Sequence, residues 1–265
     1  MRGGDACDGG EGGAGLRSAT ELLAGRLPYD GADGTLAPVP PGNYIMPRPQ
    51  PILTVDAVLL TLEDGQLKVA LHERSADPFK GIKALPGGFV HPEEDSCALD
   101  TAYRVLRQKT GFIPRHLEQL CVFSGPERDP RGWSVSIAIV ALSPIDALRS
   151  SGSPVFSYAR VDALPELAFD HREIVAQAVQ RLRSKAGYSS LPCALLPERF
   201  TLRELQEVYE QVLGQALDKS SFRRKIDELA FVTPSEEFTA GTHRPARLYS
   251  FQGYTAFDRS LTTRK

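Results

Sequence analysis

Apolar and polar positions first fall into a regular order at Ile52. The stretch ILTVDAVLLTL (Ile52–Leu62) is β-branched and apolar, EDG supplies a turn, and Leu67, Val69 and Leu71 then alternate with other positions in QLKVALHER. This pattern predicts a β-hairpin with a buried face. Further strands are predicted at Leu120–Phe123, at Ser134–Leu142 (SVSIAIVAL) and near Val155–Tyr158, with helices at Ser96–Thr110 and Asp170–Ala186. In the second helix Ile174, Val175, Ala178, Val179 and Leu182 share one stripe. Strands and helices interleaved from residue 50 to 186 predict an α/β or α+β domain.

The pattern changes after Ser184-Lys185-Ala186-Gly187. Thr201 is placed to cap a helix, with Glu204 three residues on completing a capping box. Leu202, Leu205, Val208, Tyr209 and Val212 follow at helical spacing, and Gly214 stops the run. LDKSSFRRKIDEL predicts a second helix, with Phe222, Ile226 and Leu229 inside. A polar loop, SEEFTAGTHRPA, then separates Phe231-Val232 from a closing strand at Arg247–Phe251, and Phe238, Tyr249 and Phe251 are expected in the core. Two helices joined by a short turn and followed by a hairpin describe a winged helix-turn-helix over residues 187–265. Residues 1–49 open on MRGGDACDGGEGGAG, with room for a short helix at Leu16–Leu27 before a proline-rich tether. That composition predicts a disordered or extended region.

Composition narrows the class. The chain has 265 residues, enough for two modest domains, and its 33 acidic and 31 basic side chains nearly cancel. Asp56 interrupts the longest apolar run, so no stretch approaches the ~20 residues of a membrane span. Cys7, Cys97, Cys121 and Cys193 form no C-x-x-C pair, which argues against a zinc site or a disulfide framework. Reduced thiols in a cytoplasm are the simplest expectation. Residues 189–265 hold 11 basic and 10 acidic side chains, so clustering rather than net charge carries any nucleic-acid signal. Lys219, Arg223, Arg224 and Lys225 cluster on the second helix, and His243, Arg244 and Arg247 in the hairpin. Ser220 and Ser221 are placed to donate to phosphates, and Arg223 or Lys225 to reach base edges in a major groove.

The densest chemistry lies in Ala84–Ile113, ALPGGFVHPEEDSCALDTAYRVLRQKTGFI. Gly87 and Gly88 let the backbone turn and approach a ligand, and an acidic cluster, Glu93-Glu94-Asp95, precedes a helix ending at Gly111. The segment resembles the Nudix box, G-x5-E-x7-R-E-U-x-E-E-x-G-U with U aliphatic. Gly88 and Glu94 match its first half, and Arg104, Leu106, Gly111 and Phe112 its second, with two extra residues between the halves. The resemblance implies a Nudix-like α/β/α sandwich over residues 50–186.

The departures are informative. The family pattern carries three glutamates on one helical face, which present carboxylates to Mg²⁺. Here those places are Val105, Gln108 and Lys109, so metal-dependent hydrolysis is expected to be lost. Lys109 either neutralises a diphosphate in the metal's place or is a solvated lysine favoured by the helix C-terminus. Arg104 is expected to contact Glu93, Glu94 or Asp95. Arg74 is a candidate for ligand phosphate, weighed against an ordinary surface role, and Trp133 is expected to pack in the core. The effector-binding candidates are therefore Arg74, Gly87, Gly88, Phe89, Glu94, Arg104 and Lys109, with Glu93 and Glu94 as the alternative metal ligands.

LPERFTLRELQEVYEQVLGQALDKSSFRRKIDEL followed by HRPARLYSF closely resembles the C-terminal domain of the Nudix-related transcriptional regulators of NAD metabolism. That resemblance implies a dimeric repressor of NAD biosynthesis or salvage genes that binds a double-stranded DNA operator. Its degenerate Nudix domain would sense ADP-ribose or a related nucleotide with no cofactor required; related regulators sense sugars. The rival expectation is an active Nudix hydrolase of ADP-ribose or another nucleoside diphosphate derivative, which would require Mg²⁺. A third is a winged helix that binds protein, with no salt-dependent DNA affinity.

Overall fold

A computed structural model of the chain describes residues 50–150, 156–240, 245–258 and 260–261. The expectations for residues 1–49, and for His243 and Arg244, lie outside the described residues.

The predicted hairpin forms from β1 (Ile52–Glu63) and β2 (Gln66–Glu73), with Asp64 and Gly65 both at positive φ in the turn. Two short strands follow, β3 (Lys83–Ala84) and β4 (Gly87–Phe89), then α1 (Ala98–Thr110). Next come β5 (His116–Gly125), β6 (Ser134–Leu142), α2 (Ile145–Ser150), β7 (Phe156–Arg160) and α3 (His171–Ala186). The sheet runs β3-β2-β1-β6-β5, with β4 added to β1 and β7 to β2. β1 and β6 are parallel, and the other pairings are antiparallel.

Both faces of this sheet are covered, because alternate residues of one strand point opposite ways. Ala57 and Leu59 of β1 pack with Leu106 of α1, whereas Val58 and Leu60 pack with Ile174, Val175 and Leu182 of α3. The result is the expected α/β/α sandwich.

A 3₁₀ turn (Leu191–Leu195) leads into the second part: β8 (Phe200–Thr201), α4 (Leu202–Leu213), α5 (Lys219–Leu229), β9 (Val232–Phe238) and β10 (Arg247–Phe251). The capping box on α4 is complete: Glu204 N–H donates to Thr201 Oγ1 at 3.2 Å, and Thr201 N–H to Glu204 Oε2 at 2.7 Å. Gly214 ends α4 at φ 69°. Strands order β8-β10-β9, the small sheet of a winged helix. The segment SEEF, expected as loop, belongs to β9, whose exposed Glu236 and Glu237 give it a loop-like composition. Phe238, expected in the core, is 53 % exposed, whereas Tyr249 and Phe251 pack against it as expected.

The two parts share one core. Val69 and Leu71 of the large sheet, Leu182 and Ala186 of α3, and Leu205, Tyr209 and Phe222 of the winged helix form a continuous cluster. Tyr209 is fully buried and its hydroxyl donates to Ser189 O at 2.8 Å.

Candidate functional site

A cleft of about 580 Å³ opens beside the pairing of β1 with β4. Asp56 sits in the middle of β1, buried, where a carboxylate needs partners to offset its desolvation. Ser136 Oγ donates to it at 2.6 Å, and His171 Nε2 and Arg128 lie 3.6 and 3.9 Å from its oxygens. His171 Nδ1 accepts from Leu85 N–H at 3.0 Å, so its proton sits on Nε2, toward Asp56. Burial pushes the His171 pKa down against the pull of Asp56 and Asp170.

Four cations ring the cleft: Arg74, Lys109, Arg128 and Arg131. Arg131 is held by Asp129 through bonds of 2.9 and 2.6 Å, and its guanidinium lies 5.5 Å from the Phe89 ring centroid and 6.0 Å from that of Phe169. Arg74 stacks 4.8 Å over Phe169 while its Nε donates to Pro78 O at 2.7 Å. Burial lowers its pKa, with repulsion from Arg131 added. Burial also lowers Lys109, although Asp56 pulls the other way. Cations beside the exposed Phe89 ring and the half-buried Phe169 ring suit a ligand with an anionic centre and a planar ring.

The structure brings Arg74, Gly87, Gly88, Phe89 and Lys109 to this cleft, so Lys109 is not simply a solvated lysine. It does not bring Glu94 or Arg104 there. Arg104 instead ties the loop to α1: Nε and one terminal nitrogen reach Asp95 at 2.9 and 2.6 Å, and that nitrogen also donates to Phe89 O at 2.9 Å. Glu94 lies 3.8 Å from Arg104 Nε. Hydrogen bonds from Arg104 hold the Asp95 pKa far below the ordinary carboxylate range. The glycines have a reason beyond ligand approach: a Cβ on Gly87 would collide with Asp56 Oδ1, and one on Gly88 would meet Val105 Cγ2 at 2.8 Å. Trp133, expected in the core, is 48 % exposed and lies just before β6.

Asp56, His72, Arg128, Arg131, Phe169 and His171 were not among the sequence candidates. The signal for Asp56 was present, since an acid inside an apolar strand is rarely left without a purpose.

The cleft does not fit the divalent cation that the Nudix pattern implies. Val105 is buried against Gly88, Gln108 is exposed on the helix surface, and Lys109 presents an ammonium. His91, Glu93 and Glu94 approach one another within 4.8 Å, but none of them lines the cleft.

On the winged helix, Lys219, Ser220, Arg223 and Arg224 are exposed along one stripe of α5, away from the buried Phe222 and Ile226. Ser221 N–H is taken by the Asp218 cap at 2.9 Å. Lys225 turns away, donating to Ser260 O and Leu261 O at 3.2 and 2.6 Å, so the expectation that it reaches base edges gives way to a backbone role. Arg247 is exposed at the start of β10, 3.6 Å from Glu236. No helix among the described residues is long and apolar enough to cross a membrane.

A Nudix-type sandwich with an ammonium in place of a metal carboxylate, rooted in a winged helix, defines a class: Nudix-fold proteins that carry a helix-turn-helix. Residues 51–178 match the NUDIX domain family and residues 192–251 the NrtR DNA-binding winged helix domain. An ADPR responsive transcriptional repressor of Acinetobacter baylyi is 40 % identical over 208 residues, 77 % of this chain and 83 % of the relative. The crystal structure of Shewanella oneidensis NrtR in complex with a 27mer DNA is 38 % identical, with a TM-score of 0.74 over 78 % of this chain and 98 % of that one. An ADP-ribose pyrophosphatase of Methanocaldococcus jannaschii is 35 % identical over 127 residues, 47 % of this chain and 71 % of the relative. The chain belongs to the NrtR family of Nudix-type transcriptional regulators.

Proposed function

We propose that the protein is a cytoplasmic DNA-binding repressor of NAD biosynthesis or salvage genes, and that ADP-ribose in the Nudix cleft releases it from its operator. The observation that carries this reading is Lys109, half-buried in the cleft where the Nudix pattern places a metal-binding glutamate. An ammonium there compensates a diphosphate and does not activate water. The relative in Acinetobacter, named for its response to ADPR, supports the effector, and the DNA-bound relative from Shewanella supports the operator.

In this reading Lys219, Ser220, Arg223, Arg224 and Arg247 meet the DNA, with Arg223 best placed for base edges and the others for phosphates. A homodimer would present two α5 helices to half-sites roughly 34–36 Å apart. Effector shifts the equilibrium only if it binds the DNA-incompetent arrangement more tightly. No cofactor is required.

The test is to titrate ADP-ribose with Mg²⁺ present while following operator release, then to analyse the mixture for AMP. Release with ADP-ribose recovered intact is expected. AMP produced at catalytic turnover would replace this reading with the hydrolase, which the pyrophosphatase relative keeps as the second reading.

A further inference from the structure

Asp170 occupies the N-cap position of α3, yet its side chain caps nothing. An aspartate there ordinarily adopts an extended backbone and accepts from an N–H in the first turn. Here φ is −91° and ψ is 19°, and the carboxylate turns instead to Arg128, a residue that lines the cleft. Arg128 holds it, with Nε to Oδ2 at 2.9 Å and a terminal nitrogen to Oδ1 at 2.8 Å. Its third nitrogen donates to the buried Ser134 Oγ at 3.1 Å. The Arg128 side chain is only 8 % exposed, yet it lines the cleft beside Asp56 and His171.

The neighbours of Asp170 tie the same corner to the ligand space. Phe169, at φ 55°, is a bulky residue in the left-handed region, and its ring forms part of the cleft. His171 is the first residue of α3 and is buried against Asp56. At the far end, Leu182 and Ala186 belong to the core shared with α4, and Lys185 Nζ donates to Glu118 Oε2 at 2.6 Å. α3 therefore begins in the cleft and ends packed against the winged helix.

We propose that Arg128 reports cleft occupancy to α3 by exchanging partners. A diphosphate oxyanion in the cleft takes the guanidinium from Asp170, and the freed carboxylate turns back to cap the first turn of α3. Arginine forks suit both carboxylate and phosphate, so the two anions compete for one donor set. Each arrangement satisfies Asp170, by Arg128 or by helix N–H groups, which gives the two discrete states that coupling requires. This inference rests on the effector reading above and names the residues that carry its signal.

Asp170→Asn separates the two roles. Asparagine caps as well as aspartate but gives Arg128 no ion pair. The expected result is operator affinity about tenfold lower without effector and ADP-ribose affinity about tenfold higher, the two being reciprocal expressions of one coupling. A purely structural ion pair would lower both or change neither, and either outcome overturns the lock. Hydrogen exchange on the wild-type protein gives a second readout if the variant folds poorly. ADP-ribose should slow exchange of the Arg172 amide, since Glu173 N–H already donates to Asp170 O at 2.9 Å, and an unchanged rate at Arg172 overturns the proposal. Failure of the lock alone appears as a wild type that binds and releases normally beside an indistinguishable Asp170→Asn. A wild type that binds no ADP-ribose removes the effector reading, and the lock with it.

Discussion

Lys109 Nζ lies 3.3 Å from His72 Nε2, in a cleft that also holds Arg74, and the same imidazole nitrogen lies 3.1 Å from Leu85 O. One nitrogen cannot accept from the ammonium and donate to the carbonyl at once. With the His72 proton on Nδ1, toward Glu73 O at 3.2 Å, Nε2 accepts from Lys109. With both nitrogens protonated, both carbonyls are served and Lys109 is repelled. The pair is thus poised around an anion that would relieve the repulsion.

Lys109→Met follows from this geometry. Removing a charge-assisted bond to a diphosphate forfeits on the order of 1.5–3 kcal/mol, so effector affinity should fall roughly tenfold to a hundredfold. Thermal stability should hold or rise, because burial already opposes the ammonium. Calorimetric titration with ADP-ribose, beside a melting curve, checks both. An unchanged affinity would remove Lys109 from the binding site.

The same pair sets opposite pH dependences for binding and stability. Burial and then Lys109 lower the His72 pKa from its ordinary 6.5, and burial lowers that of His171 from the same value. The unfolded chain therefore takes up more protons below about 6.5, so stability is full above that pH and declines as pH falls through it. A bound diphosphate draws the His72 pKa back up, so effector affinity should instead strengthen with acidification over the same window. Calorimetry in buffers of different ionisation enthalpy should register proton uptake on binding near pH 6.5, and His72→Asn should abolish most of it.

Gly87→Ala should be far costlier than Gly81→Ala. A methyl at Gly87 would overlap Asp56 Oδ1 and come within 3.0 Å of Val55 O, dislodging the carboxylate that Ser136 and His171 hold. At Gly81 a methyl meets nothing within 4 Å, and only its φ of 83° opposes substitution. The expected losses are about 2–4 kcal/mol and about 1 kcal/mol, read from urea unfolding midpoints.

How legible these features were depended on how local their causes are. The SVSIAIVAL strand and the Thr201–Glu204 box were readable because alternation and capping act over a few residues. The strands β3, β4 and β8, two or three residues each, carry too little pattern to be seen. The second half of the wing strand β9, Ser235–Phe238, has the composition of a loop because its two glutamates sit on an exposed edge, where composition follows solvent. Much of the cleft was hidden for a topological reason. Parallel pairing of β1 with β6 sets Asp56 beside Ser136, 80 positions away, and Arg128 meets Asp170 across 42. Single-sequence spacing holds no trace of such encounters, whereas Lys109 was identifiable by its place in a known motif.

On the recognition helix, Arg223 and Lys225 should separate cleanly although they stand two residues apart. Arg223 is exposed and makes no ion pair among the described residues. Arg223→Ala should weaken operator binding by about 1–3 kcal/mol and relax preference at one base position, if its fork reads a base edge. Should it meet phosphate instead, the loss would be uniform across sequences and the slope of log K against log salt would fall by about one. Lys225 is half-buried, and its ammonium serves the carbonyls of Ser260 and Leu261, which ties residues 260–261 to α5. Lys225→Ala should therefore lower the melting temperature and leave operator affinity within about twofold once the protein is folded, since its charge is already engaged. Salt-dependent binding curves for both variants, with melting curves alongside, decide the assignment. A Lys225→Ala protein of normal stability that loses operator would move Lys225 back to the DNA face.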